Sequence, residues 1–169
     1  MGSAEGLLCP VSAYTRHMKI DLTPEQCEEI LVANHYGHLG CCEGNEPYVL
    51  PITYVYKDGF IYSYTQEGHK IDAMRNNPRI CVQVERVESG IEWESVVCWG
   101  QFEEVTMPES MQEIKLLLAD EHGKILLEEG KEPVSPMVEH LHKERTGEIE
   151  TSVIYRMRPD RMTGRAEKA

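Results

Sequence analysis

The sequence predicts a mainly β fold, an antiparallel sheet with short helices at its margins that closes into a small barrel. Three observations predict it. From Asn34 to Val105 the chain alternates β-branched and aromatic runs with turn residues, the pattern that suits strands on a pleated surface. "Lys57-Asp58-Gly59" lies between two such runs, and Asp-Gly supplies the positive φ angles of a tight hairpin turn, so its flanking strands are antiparallel neighbours. Helical periodicity is confined to three short stretches, and closure of the remaining sheet is the usual way to avoid bare edges.

Residues 1–20 lack periodicity and read as an extended arm. "LTPEQCEEILVANH" then opens a helix with Thr23 as N-cap, Pro24 at the first helical position and Gln26 completing a capping box, while Cys27, Ile30 and Leu31 share one face. Strands follow in "HYGHLGCC", "YVLPITYVY" and "FIYSYT". Pro51 cannot donate to a ladder, so it marks an edge, a bulge or a place where backbone faces a ligand. A short helix around Lys70 to Arg75 is stopped by "NNP", because the residue before proline is pushed out of the helical region. "RICVQVERV" and "ESVVCWGQFEEV" supply two more strands. In "PESMQEIKLLLADEH" a helix puts Met111, Ile114 and Leu117 or Leu118 on one face. A polar excursion over about 130–149 precedes the final strand, "IETSVIYRMRPDRMTGR".

With 169 residues, 41% of them hydrophobic, one domain over 1–169 is expected. The net charge of −12 argues against a nucleic-acid or anionic-membrane surface, since a phosphate backbone is held by many cations on one face. "MGSAEGLLCP" has no basic segment followed by an apolar run, and Gly6 stands where myristoylation wants Ser or Thr. A soluble, cytoplasmic protein without a membrane partner is the expectation. Six cysteines without a C-x-x-C pair suit reduced core thiols.

Dinucleotide-binding, P-loop, zincin and nucleophile-elbow motifs are absent. "His35-Tyr-Gly-His38-Leu-Gly-Cys41-Cys42" carries four soft donors, but in a strand His35 and His38 point to opposite faces, as do Cys41 and Cys42. Ordinary strand packing is the simpler account, and no metal is expected. "YTQEGHKIDAMRNNPRICVQV" differs. It gathers His69, Lys70, Arg75 and Arg79 in an acidic chain, with Lys70 in a first helical turn, where the macrodipole disfavours a cation. Gly68 lets the backbone turn into the helix, the free N–H groups of the first turn attract an anion, and Thr65 adds a hydroxyl. That combination fits a small phosphate. The same residues also fit a solvated connector.

"LPITYVYKDGFIYSYTQEGHKIDAMRNNPRICVQVE" followed by "WESVVCWGQFEEV" resembles the flavin-binding split-barrel proteins related to pyridoxamine 5'-phosphate oxidase, most closely the branch containing nitroimidazole-resistance proteins. The resemblance covers residues 22–105, with an echo in "VIYRMRPDRMTGR". It implies a six-stranded antiparallel split β-barrel with flanking short helices, and a homodimer that binds FMN between its subunits. An oxidoreductase acting on a small-molecule redox substrate is the implied function. It further implies that Pro51, Ile52 and Thr53 run along the flavin ring, and that Thr65, Gly68, His69 and Lys70 hold its phosphate with the helix from Ile71 aimed at it. Trp93 and Trp99 would reach toward the partner's flavin. Tyr64 stands beside the cofactor where nitroimidazole-resistance relatives carry histidine, and a phenol with a reference pKa of about 10 does not replace a near-neutral base. "RMRPDRMTGR" lacks the tryptophan pattern with which the vitamin oxidases grip pyridoxamine phosphate. Three further readings stay open: a nitroimidazole reductase, a haem-binding split barrel using His35, His38, His140 or His142, and a flavin-binding module without turnover.

Overall fold

The computed structural model describes residues 18–89, 92–107, 110–111, 113–120 and 153–168. Its elements run β1 (Met18–Asp21), α1 (Pro24–Ala33), β2 (Tyr36–Glu43), β3 (Glu46–Thr53), β4 (Val55–Lys57), β5 (Phe60–Thr65), α2 (His69–Asn76), β6 (Arg79–Val87), β7 (Trp93–Glu104) and β8 (Val153–Lys168), with a helical segment at 113–120. Residues 1–17 of the expected arm, the polar excursion and its His140 and His142 lie outside the described residues. No described helix is long and apolar enough to cross a membrane.

The capping box forms as its sequence requires. The Gln26 N–H donates to Thr23 Oγ1 at 3.3 Å, and the Thr23 N–H donates to Gln26 Oε1 at 2.9 Å. Cys27, Ile30 and Leu31 then bury one face of α1. At the Asp58-Gly59 turn both residues have positive φ, 52° and 78°, and Lys57 pairs with Phe60 across it.

Every pairing in the sheet is antiparallel, in the order β3-β2-β6-β7-β8-β5-β4, with β1 added along β8. Among the described residues the sheet therefore has eight strands where six were expected. One extra strand is β1, whose Met18 to Asp21 pair with Lys168 to Arg165, so the expected arm becomes sheet at its end. The other arises because "YVLPITYVY" is two strands. Tyr54 interrupts them: its N–H donates to the His35 carbonyl at 2.9 Å, and its fully buried phenol donates to the Leu31 carbonyl at 3.0 Å. Burying a large aromatic whose hydroxyl finds a carbonyl on α1 outweighs continuing a ladder there.

β3 and β4 are the two ends of the strand order, yet they are consecutive in the chain. The sheet therefore curls until its ends meet at Tyr54. Its interior holds Leu39, Ile52, Ile61, Ile80, Val82, Val84, Val96 and Met157, closed below by α1 and α2 through Leu31, Ile71 and Met74. A second cluster lies outside the curl, where Ile114 and Leu118 cover Val55 and Ile154, with Met111 and Leu117 packed at its margin. This is the face expected for that helix.

Candidate functional site

The curl leaves a seam. β3 pairs with β2 along its length, and its end comes against β5 without a ladder, joined by a hydrogen bond from Ser63 Oγ to the Thr53 carbonyl at 2.7 Å. Pro51, which has no N–H to leave bare, sits on this end strand, as an edge proline should.

A cleft of about 500 Å³ opens at the seam, lined by Tyr36, Pro51, Ile52, Thr53, Tyr64, Thr65, Gln66 and Lys70. Six residues expected from the sequence thus converge: Pro51, Ile52 and Thr53 from the end of β3, Tyr64 and Thr65 from the end of β5, and Lys70 from α2. Burial pushes the Tyr64 phenol up from its usual value, so it is neutral at ordinary pH.

Gly68 is the N-cap of α2, at φ 151° and ψ −173°, in a region open almost only to glycine. Having no side chain, it leaves the first N–H groups of the helix uncapped, while its carbonyl accepts from the Ile71 N–H at 2.9 Å. Ile71 itself is fully buried and anchors the helix to the core. His69 turns away to Glu43, with its Nε2 3.1 Å from the carboxylate, and packs edge-on against Tyr48.

The gathering of cations now resolves into different tasks. His69 meets Glu43, Arg75 meets Glu67 and Glu104, and Arg79 meets Asp160. Lys70 has no carboxylate partner among the described residues. It is half-buried, and desolvation pulls its pKa below the usual 10.5, with nearby Cys41 opposing the shift weakly. An ammonium group held in that state, beside a hydroxyl and a helix N-terminus, is a site for a small anion. The aromatic and apolar walls from Tyr36, Ile52 and Tyr64 suit a flat ring next to it.

Trp93 and Trp99 do not line this cleft. Trp99 stands on the sheet face away from the interior under the Arg161 guanidinium, 3.8 Å from the ring centre, and Trp93 lines a separate hollow with Asp21, Leu22 and Arg165. Of the described histidines weighed for haem, His38 is exposed and meets the Gln83 side chain, and His35 keeps its Nδ1 buried without a hydrogen-bond partner among the described residues. The five described cysteines are free thiols. A smaller hollow, beside the helical segment 113–120, offers Lys57 and Arg156 among Asp58, Glu104 and Glu113. With two cations against three carboxylates, it is not a site for an anion.

Sequence reasoning missed Tyr36 and Gln66. Tyr36 reaches the cleft because the β2 to β3 register sets it opposite Thr53, a relation no local pattern reveals. Gln66 follows from the position of the turn after Thr65 and was within reach of the motif.

Comparison with known proteins agrees with this architecture. An uncharacterized protein of Rhizobium meliloti is 34% identical over 84 residues, which is 50% of this chain and 56% of that protein, so the match spans little more than half of the relative's length. The solved structure of an FAD-binding protein from Mesorhizobium loti superposes with a TM-score of 0.68 at 28% identity, covering 91% of this chain and 100% of that one. A candidate 5-nitroimidazole antibiotic resistance protein from Bacteroides thetaiotaomicron has a TM-score of 0.60 at 18% identity over 90% of this chain and 89% of its own, a likeness of fold alone. The family model for pyridoxamine 5'-phosphate oxidase matches residues 23–166, which take in the curled sheet, the seam and the turn before α2. The chain belongs to the pyridoxamine 5'-phosphate oxidase family.

Proposed function

We propose that the protein binds FMN in the seam cleft, as one half of a homodimer, and acts as an oxidoreductase on a small redox-active molecule. The observation that carries this reading is Lys70, a half-buried cation at the N-terminus of α2 that lines the cleft and has no carboxylate partner among the described residues. Lys70, Thr65 and the first N–H groups of α2 would hold the phosphate. Pro51, Ile52 and Thr53, with Tyr36 and Tyr64, would border the ring. When bound, the flavin supplies the electron-transfer chemistry, and the chain supplies position and electrostatics. The phenol of Tyr64 stays protonated, so it serves as a wall and a hydrogen-bond donor, not as a base. The position of Trp93 and Trp99 away from their own cleft suits contact with a partner's flavin.

Titration of the apoprotein with FMN, FAD and riboflavin tests this. FMN should bind with quenching of its fluorescence, and riboflavin, which lacks the phosphate, should bind much more weakly. Lys70→Met should weaken FMN by about ten- to a hundredfold, as expected for one charge-assisted contact, and leave riboflavin nearly unchanged. Tighter FAD than FMN would overturn the choice of cofactor, and absence of any flavin binding would sink the reading. Light scattering of the loaded protein should give twice the chain mass.

A further inference from the structure

A carboxylate stands in the turn beside the seam cleft, next in sequence to Gln66 of its lining. Glu67 lies two residues after Thr65 and three before Lys70, in the turn that would receive an anion. A bare carboxylate there would repel a phosphate at close range. Arg75 answers it. Its Nη1 and Nη2 donate to Glu67 Oε2 and Oε1, both at 2.8 Å, in a two-bond fork. Its Nε and Nη2 donate to Glu104 Oε1 and Oε2 at 2.6 and 3.0 Å, in a second fork at the last residue of β7. Arg75 is in the last turn of α2, and helical side chains lean toward the N-terminus, so it reaches back along the helix to the turn that begins it. One planar guanidinium thereby ties the turn, the helix and a strand end together, a geometry that lysine cannot reproduce. Arg75 does not line the cleft.

We infer that Arg75 is a positioning residue for the anion site: it fixes the turn at Glu67 and offsets a carboxylate that would otherwise oppose a phosphate at Lys70. The inference rests on the flavin reading for the identity of the anion, and on the two forks for the role. The hydrogen bonds from Arg75 hold the Glu67 carboxyl below its usual range, so the ion pair is present at ordinary pH whenever a phosphate would bind.

The test uses the full chain and four forms: wild type, Arg75→Ala, Glu67→Gln and the double variant. Each is titrated with FMN and with riboflavin, and the apoprotein of each is melted. Arg75→Ala should weaken FMN by about tenfold or more while riboflavin changes little, since only the phosphate meets the exposed charge. Adding Glu67→Gln should recover most of the lost FMN affinity without recovering any lost melting temperature. Equal losses for both ligands, with no recovery in the double variant, would show a purely structural role and overturn the inference. Wild type that binds no flavin would defeat the flavin reading instead. The inference is then decided with inorganic phosphate: a phosphate-induced rise in melting temperature that shrinks in Arg75→Ala supports it, and an equal rise in both forms overturns it.

Discussion

Gly68 shows how one residue can be required by backbone alone. A methyl group added there would meet no heavy atom within 4 Å, so space does not select glycine. Its φ of 151° does. Gly68→Ala should lower stability in urea by about 1–3 kcal/mol, the cost of holding an L residue in that region, and should weaken FMN by loosening the turn. Lys70 behaves oppositely. Because burial depresses its pKa, the ammonium opposes folding at every pH below the folded value, and that cost fades as pH rises toward 10.5. The Lys70→Met apoprotein should therefore melt no lower than wild type while losing FMN, the signature of a residue kept for binding. Lys70 was legible in the sequence because a cation in a first helical turn conflicts with the helix dipole. Arg75 was visible as a cation but not as a fork, since its second carboxylate, Glu104, arrives from a distant strand.

At the scale of elements, local chemistry announced most of the fold. The capping box of α1, the Asp58-Gly59 hairpin and the stop before Pro78 each follow from residues adjacent in sequence. What was not legible depends on distant partners. β1 exists because the end of β8 offers it a ladder, and the break at Tyr54 exists because α1 offers a carbonyl. The register shift between Trp99 and Gly100 is of the same kind. There a Cβ would stand 2.5 Å from the Arg158 carbonyl oxygen and 2.5 Å from Met157 Cγ, and backbone cannot step aside as a side-chain end can. Gly100→Ala should cost about 1–3 kcal/mol in a urea titration, an overpacking penalty at a β7 to β8 contact that does not line the cleft, with the FMN affinity of the folded fraction preserved.

For the whole molecule, an excess of acid makes the few cations organisers of the surface. Lys168 and Arg86 hold Glu94, and Arg79 holds Asp160, and each carboxyl lies below its ordinary value of 4.5 or 3.8, chiefly through these hydrogen bonds. Such groups stabilise the fold fully above the unfolded values and stop doing so as pH falls through the lower, folded ones. Melting temperature should accordingly hold level from pH 7 to about 5 and then fall, and Glu94→Gln should show a shallower fall over the same range. The way the barrel closes has another consequence, one of phase. Side chains alternate without interruption through the break at Tyr54: Ile52, Tyr54 and Tyr56 belong to the interior, while Val55 belongs to the outer cluster under 113–120. One continuous alternation therefore serves both edges of the sheet, even though the chain changes partners in the middle of it. That is why the stretch reads as a single strand. It also means that one inserted residue near Tyr54 would turn every later side chain of β4 inside out, whereas two would preserve the beat, so the seam can tolerate changes in length only by even steps.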